Sequence, residues 1–426
     1  MKFTKLALVG TTALTLSMTT AIANDNKAFL TQDGTNNAAL VTQSGSYNEA
    51  GTSGLSMTQD GFSNSLTILQ SGNGNDIGKE GAGVSQSNPT LGNAGNVKRM
   101  TIDITQSSSF NDVGQVKQSV GGSGFGLTNT VDISQGGFGG NRVGSVTQDS
   151  QSSGKNTLNV TQTGTLNRLE TTYQRNHLGG NGFNRMTVTM SGFGNGQGSL
   201  GRFSGDTGAT SSALKQGNVT AASRGNRITL NVSGTGNDFG VTQNGTDNTV
   251  GTLDLGGLSN NLGINQMGNG NTVSMASVSG VSNDVGVNQL GDTNLASVAV
   301  SGWFNQMGVY QDGLSNNASV TITGDNNGLA PSLWGSSNWS GAALTVASAN
   351  PMLDRGMVKQ MGEFNTASLI VTGNNNAFGL LQDGDSNAIT GVQSGNFNQA
   401  AVAQVGNGNT ANFTQIGNGN SLGISQ

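Results

Sequence analysis

Toward the end of this chain one glutamine follows another at a constant interval of eleven residues: Gln382, Gln393, Gln404, Gln415 and Gln426, with Gln360 and Val371 holding the two preceding places. So strict a count demands one small structural unit used again and again, and it excludes a disordered polar tract, which places no demand on spacing. A second run passes through Leu255, Gln266, Val278, Gln289, Val300, Gln311 and Ile322, with one interval of twelve. Earlier pairs are Gln32 with Gln43, Gln59 with Gln70, and Val232 with Gln243. Looser copies are anchored at Gln106, Gln118, Gln135, Gln148, Gln162 and Met190.

Within a unit the pattern alternates, which marks strand and not helix. Asn409, Ala411, Phe413 and Gln415 fall on one side, and Thr410, Asn412 and Thr414 on the other. One face is therefore inside and the other wet. Between anchor and asparagine lies a turn carrying Gly34, Gly61, Gly313, Gly384, Gly406 or Gly417, where a sharp reversal favours positive φ. From Val232 to Ile322 the anchor alternates between aliphatic and glutamine, so equivalent places return after two units. The expected fold is all-β: a β-solenoid of stacked strand-turn-strand rungs, about 22 residues each by this count. Stacking puts like on like at the strand spacing of about 4.8 Å, so inward amides can bond from rung to rung and avoid the cost of dry burial. The ladder residues expected alongside the glutamine anchors are Asn37, Asn64, Asn316, Asn365, Asn387, Asn398, Asn409 and Asn420.

Composition narrows the role. Charged residues are 10% of the 426, there are 69 glycines, 3 prolines and no cysteine, and the net charge is -5. An acidic chain without a basic cluster is not expected to bind nucleic acid, and without thiols neither disulfides nor thiolate metal sites can hold it. Residues 1–23 read as a secretory signal peptide: Lys2 and Lys5 precede the apolar stretch Leu6 to Leu16, with Ala21-Ile22-Ala23 before Asn24. Residues 24–426 are then one solenoid without a transmembrane segment, with irregular insertions near 71–105, 173–225 and 323–359.

The segment Gln404 to Gln415, "QVGNGNTANFTQ", resembles the curlin repeat of curli, the amyloid fibres of bacterial surfaces, with Gln404, Gly406, Gly408, Asn409, Ala411 and Gln415 in their consensus places. "QSGNFNQAAVAQ" and "QDGTNNAALVTQ" differ at the second glycine. The resemblance implies a secreted, extracellular or cell-surface subunit that leaves a bacterium through a dedicated outer-membrane pore. It would add to a fibre of a biofilm matrix, with itself and a nucleator or major subunit as partners. The chain is longer than the usual five-repeat subunit and lacks that subunit's glycine-rich leader. No capping helix follows Gln426, so both glutamine-rich ends are expected to be contact surfaces and the aliphatic middle a self-stable core.

Nothing points to an enzyme or a cofactor. His177 is the single histidine, no G-x-S-x-G elbow occurs, and the glycine cluster near residue 121 lacks a phosphate-loop lysine. The competing expectation is a monomeric soluble β-solenoid adhesin. The excursion from Thr323 to Lys359, with Trp334 and Trp339, is read as covering a solenoid edge. The weakly basic excursion Thr171 to Arg227 is read as a solvated face. Aspartates near turns, such as Asp33, Asp60, Asp312, Asp383 and Asp385, are read as turn-shaping residues that also discourage premature stacking.

Overall fold

In the computed structural model the described residues are 7–8, 13–18, 24–62, 64–81, 83–88, 99–121, 128–151, 155–177, 183–217, 224–328 and 339–426. They form two units: Met1–Gln197 with Ser212–Ser233 and Asn244–Thr246, and Gly198–Ser211 with Gly234–Gln243 and Asp247–Gln426. Each is an all-β solenoid whose chain passes alternately between two parallel sheets, here called A and B.

In the second unit, sheet A contains Asn261–Met267, Asp284–Asp292, Gln306–Leu314, Met357–Glu363, Ala377–Asp383, Gln399–Val405 and Ser421–Ser425, paired in that order. Sheet B contains Thr249–Leu255, Thr272–Val281, Leu295–Trp303, Asn317–Thr323, Thr366–Thr372, Ala388–Ser394 and Thr410–Ile416. Burial alternates residue by residue, as in Asn317–Thr323, because Ala318, Val320 and Ile322 face sheet A while Asn317, Ser319, Thr321 and Thr323 face water. Registers place like on like. Gln360 lies on Gln382, Val300 on Ile322, and Asn305 bonds Asn283 across 22 residues. Phe413 is an exception that still fits, since its ring lies over Gly391 in the rung below and a Cβ there would overlap it.

The first unit uses the same scheme with longer rungs. Gln32 reaches Gln59 across 27 residues, and Gln70 reaches Gln106 across 36. Its first sheet-A strands come in two pieces, Glu49–Ala50 and Met57–Phe62 for example, around a surface loop. The spans read as irregular still contribute to the sheets. Val84–Asn88 seats Gln86 on Gln59, and Arg185–Met190 pairs with Lys155–Gln162.

Two excursions of the second unit fold onto the outward face of its sheet A. The short helix Arg202–Asp206 lies over Gly263 and Gly286, where any Cβ would overlap the carbonyls of Ser204 and Phe203. Asp284 fixes it, its carboxylate accepting from Phe203 N (2.7 Å), Ser204 N (3.0 Å) and Ser204 Oγ (2.6 Å). Helix Gly341–Ala349 lies over Gln399–Val405 and Ser421–Ser425. Ala343 and Val346 bury against Leu381, Ala401 and Ala403, with Trp339 packed alongside. Among the described residues of the 323–359 excursion, the helix covers a face of sheet A and not the solenoid edge, where the small residues Gly379, Ala401 and Gly423 leave room for it. Trp334 lies outside the described residues.

Most of residues 1–23 also lie outside them. Ala7–Leu8 and Ala13–Met18 are strands paired with Thr31–Gln32 and Ala38–Gln43. Among the described residues no helix is long and apolar enough to cross a membrane.

Candidate functional site: amide columns and the strand edges

Four columns of inward amides run through the rungs. In sheet A of the second unit each glutamine Nε2 donates forward to the next Oε1: Gln243 to Gln266, then Gln289, Gln311, Gln360, Gln382, Gln404 and Gln426, at 2.8–3.1 Å. The other Nε2 hydrogen crosses to a backbone carbonyl of sheet B, as from Gln311 to Leu295 O (2.9 Å) and from Gln382 to Thr366 O (3.1 Å). Each glutamine therefore ties its rung to the next and one sheet to the other. A net gain of about 1 kcal/mol per bond is typical, and stranding one buried amide costs about 1–3 kcal/mol. In the first unit Gln32 and Gln59 donate forward in sheet A, whereas Gln148 and Gln174 donate backward to Gln118 and Gln148.

Sheet B differs. In the first unit Gln43, Gln70, Gln106 and Gln135 donate forward in turn, ending at Gln162, which meets the Met190 sulfur at 3.5 Å. In the second unit its anchors are Leu255, Val278, Val300, Ile322 and Val371 before glutamine returns at Gln393 and Gln415. Val371 has no amide to offer, so Gln393 Oε1 is buried without a donor.

The asparagine columns run the opposite way. Asn64 donates from its backbone N–H and Nδ2 to Asn37 Oδ1, and the N–H groups of Asn316, Asn365, Asn387 and Asn409 donate in turn to the Oδ1 atoms of Asn294, Asn316, Asn365 and Asn387. Asn398 and Asn420 do the same to Asn376 and Asn398. Their Nδ2 groups reach the turn of the rung ahead, as in Asn365 to Gly384 O (2.7 Å), Asn387 to Gly406 O (2.7 Å) and Asn398 to Gly417 O (2.8 Å).

The turn glycines satisfy two demands at once. Gly34, Gly61, Gly313, Gly384, Gly406 and Gly417 have φ between 93° and 129°. A Cβ on Gly34, Gly313 or Gly384 would also overlap the carbonyl of the glycine stacked on it. At Gly406 and Gly417 the nearest atoms would be 3.9 and 3.7 Å away, because no described rung lies beyond them.

Sequence reasoning missed an exposed amide column at the turns. Asp385 Oδ1 accepts from Glu363 N (2.9 Å), and Asp385 N donates to Asn407 Oδ1 (2.8 Å); Asn374, Asn396 and Asn418 repeat the scheme. Its signal is the Asp or Asn three residues after the anchor. It also missed the glycine three residues after the sheet-A asparagine, as in Asn283 and Gly286 or Asn420 and Gly423, which leaves space for the excursions.

Charges line the first unit's outward face. Arg142 bridges Asp112, Glu80 (2.5 Å) and Glu170 (3.1 Å), and Lys79 bridges Glu49 (3.0 Å) and Asp76 (2.6 Å). Burial pushes the Asp112 carboxyl up to about 6, with the Arg142 guanidinium opposing it. Of the basic excursion, Arg185 and Arg227 stack in register and stay exposed. The side chains of Arg175 and His177 lie outside the described residues.

Both hydrogen-bonding edges are strands. Among the described residues nothing pairs beyond Thr410–Ile416 or Ser421–Ser425. The family model of the curlin associated repeat matches residues 23–51 and 384–417, which are stretches where both anchor columns carry glutamine. No curated protein matches the chain.

Proposed function

From the premise that the chain is a curlin-repeat protein, we propose that it is a secreted structural subunit that assembles end to end into extracellular curli-like amyloid fibres of a bacterial matrix. The observation that carries this reading is the amide column running from rung to rung, in which Gln360, Gln382 and Gln404 each donate to the like residue of the next rung, so that one rung is a template for another. An uncovered parallel edge is a template for another strand. Release of residues 1–23 and passage through an outer-membrane pore belong to the same proposal, as does a nucleator or major subunit as a further partner. The test is dilution of residues 24–426 out of denaturant, followed by thioflavin fluorescence with and without preformed seeds. A lag removed by seeds, with fibres in the microscope, is expected. A β-rich monomer that stays soluble for days would overturn the reading.

A further inference from the structure

In the first unit the aromatic side chains stand outside the core. Among its described residues no aromatic ring is buried, while Tyr47, Phe110, Phe138 and Phe193, together with Leu166, are 41–93% exposed on the turns that lead from sheet B to sheet A. These turns stack as strictly as the strands. The N–H groups of Gly74, Phe110, Gly140, Leu166 and Gly194 each donate to a carbonyl of the preceding turn at 2.9–3.2 Å, so the exposed side chains form a row along one corner of the unit. Three of them also hold an unfavourable backbone. Tyr47, Phe110 and Leu166 have φ of 57–61° at the place that the intervening rungs give to Gly74, Gly140 and Gly194. Glycine would spare that cost. Phe110 rests on Gly74 and Leu166 on Gly140, where an added Cβ would crowd them, so both are seated without being covered. An exposed apolar row kept against a conformational cost marks a contact surface.

The surroundings of the row select its occupant. The turns themselves, residues 44–47, 71–74, 107–110, 136–140, 163–166 and 191–194, contain no charged residue. On their sheet-B side stand the hydroxyls of Ser44, Ser71, Ser107, Thr163 and Ser191, none of them buried. On their sheet-A side, two residues beyond the turn place, runs the stacked row of Glu49, Asp76, Asp112, Arg142 and Arg168. In that charged belt Lys79, Arg142 and Arg168 face five carboxylates, and the side chains keep 20–49% of their surface in water. The excess of carboxylate repels a polyanion or an anionic lipid surface, and a second copy of the same corner would set like belts against each other. The rings are spaced by serine, glycine and asparagine and do not merge into one apolar patch. A row of separate ring platforms between two lines of hydrogen-bonding groups suits a polymer of the same build: apolar ring faces, hydroxyl edges and no charge.

We propose that this corner of the first unit binds a neutral, extended polysaccharide laid along the stack of turns, with sugar rings on the faces of Tyr47, Phe110, Phe138 and Phe193. Six turns at about 4.8 Å give a track of about 24 Å, and a linked pyranose advances by about the height of one rung. The sugar hydroxyls meet the serine and threonine hydroxyls on one flank and the charged belt on the other. The strain at Tyr47, Phe110 and Leu166 then has a use, since it aims bulky side chains outward from turns whose backbone the stacking holds rigid. The site is complete within one copy of the chain and does not depend on the fibre reading.

The test titrates residues 24–426, freshly diluted from denaturant, into fluorescein-labelled glucomannan and follows anisotropy, with labelled alginate as the anionic counterpart. Saturable binding of glucomannan and none of alginate is expected. Phe110→Gly combined with Phe138→Ser should weaken glucomannan binding by about tenfold or more and leave the thermal midpoint no lower, because glycine relieves the strained turn. Tyr47→Gly combined with Leu166→Gly repeats the measurement at the other two strained places, should the first pair fold poorly. Phe397→Gly changes the same turn place in the second unit, where Asn375 and Gly419 are its neighbours, and should leave binding unaltered. Alginate bound as well as glucomannan, or glucomannan binding indifferent to the ring substitutions, overturns the proposal. So does a lowered thermal midpoint with unchanged binding, which would make the rings packing pieces. Loss of side-by-side association of fibres in the ring variants, without any binding of glucomannan, would assign the corner to a second copy and overturn it as well.

Discussion

Sheets A and B of the second unit share one interior and differ at the anchor column. Sheet A keeps glutamine in every rung from Gln243 to Gln426, whereas sheet B carries Leu255, Val278, Val300, Ile322 and Val371 before glutamine resumes. Both solutions are dry and packed. The difference teaches that an amide column is satisfied only while it is unbroken: inside a column each amide has two neighbours, and at a break one is stranded, as Gln393 Oε1 is. An aliphatic column has no such end effect.

The contrast breaks most sharply at the turns. Gly384→Ala forces a Cβ into the Gly406 carbonyl at a φ of 125° and is expected to cost about 3 kcal/mol or more in denaturant unfolding of residues 24–426. Gly417→Ala carries a similar φ penalty with open space beyond, so it should cost the monomer clearly less. Its further effect should appear only as slowed seeded elongation, and equal losses in both assays would contradict the edge role. Next comes Gln311→Leu, which strands Gln360 Oε1 in the middle of sheet A's column and is expected to lower stability by about 2–3 kcal/mol, read by chemical melts. In sheet B the opposite exchange separates two places. Val300→Gln lies between Val278 and Ile322 and should cost about 1–3 kcal/mol, while Val371→Gln gives Gln393 Oε1 a donor and should cost under about 1 kcal/mol. If both cost the same, continuity is not what matters.

The smallest expected effect lies in the first unit. Asp112 titrates near 6 when folded, above its unfolded range, so its contribution to stability is fully present below the unfolded value and is lost as pH rises through about 6. The first unit should therefore gain from this group between pH 7 and pH 5. Asp112→Asn should remove that component from the pH dependence of thermal unfolding, while Glu170, whose carboxyl is held low against its burial by Arg168 and Arg142, contributes with the opposite sign in more acid solution.

Much of the architecture could be read from residues alone because strand pleat and turn are local. Period two put Ala411, Phe413 and Gln415 inside, and the eleven-residue count put Gln382 over Gln360 and Gln404 over Gln382. The alternation of Val278, Gln289, Val300 and Gln311 announced two sheets with different columns. Positive φ at Gly34 and Gly384 followed from turn chemistry. Tertiary structure alone decided the rest. The sense of each amide column depends on which backbone carbonyl lies across the interior, as Leu295 O does for Gln311. Where the excursions come to lie depends on glycines brought into line by stacking: Gly263 and Gly286 admit the Phe203 turn, and Gly423 admits Ala342. A repeat specifies its own unit and its stacking partner, but an interruption of the repeat has no period, and only the shape of the finished sheet tells it where it can pack.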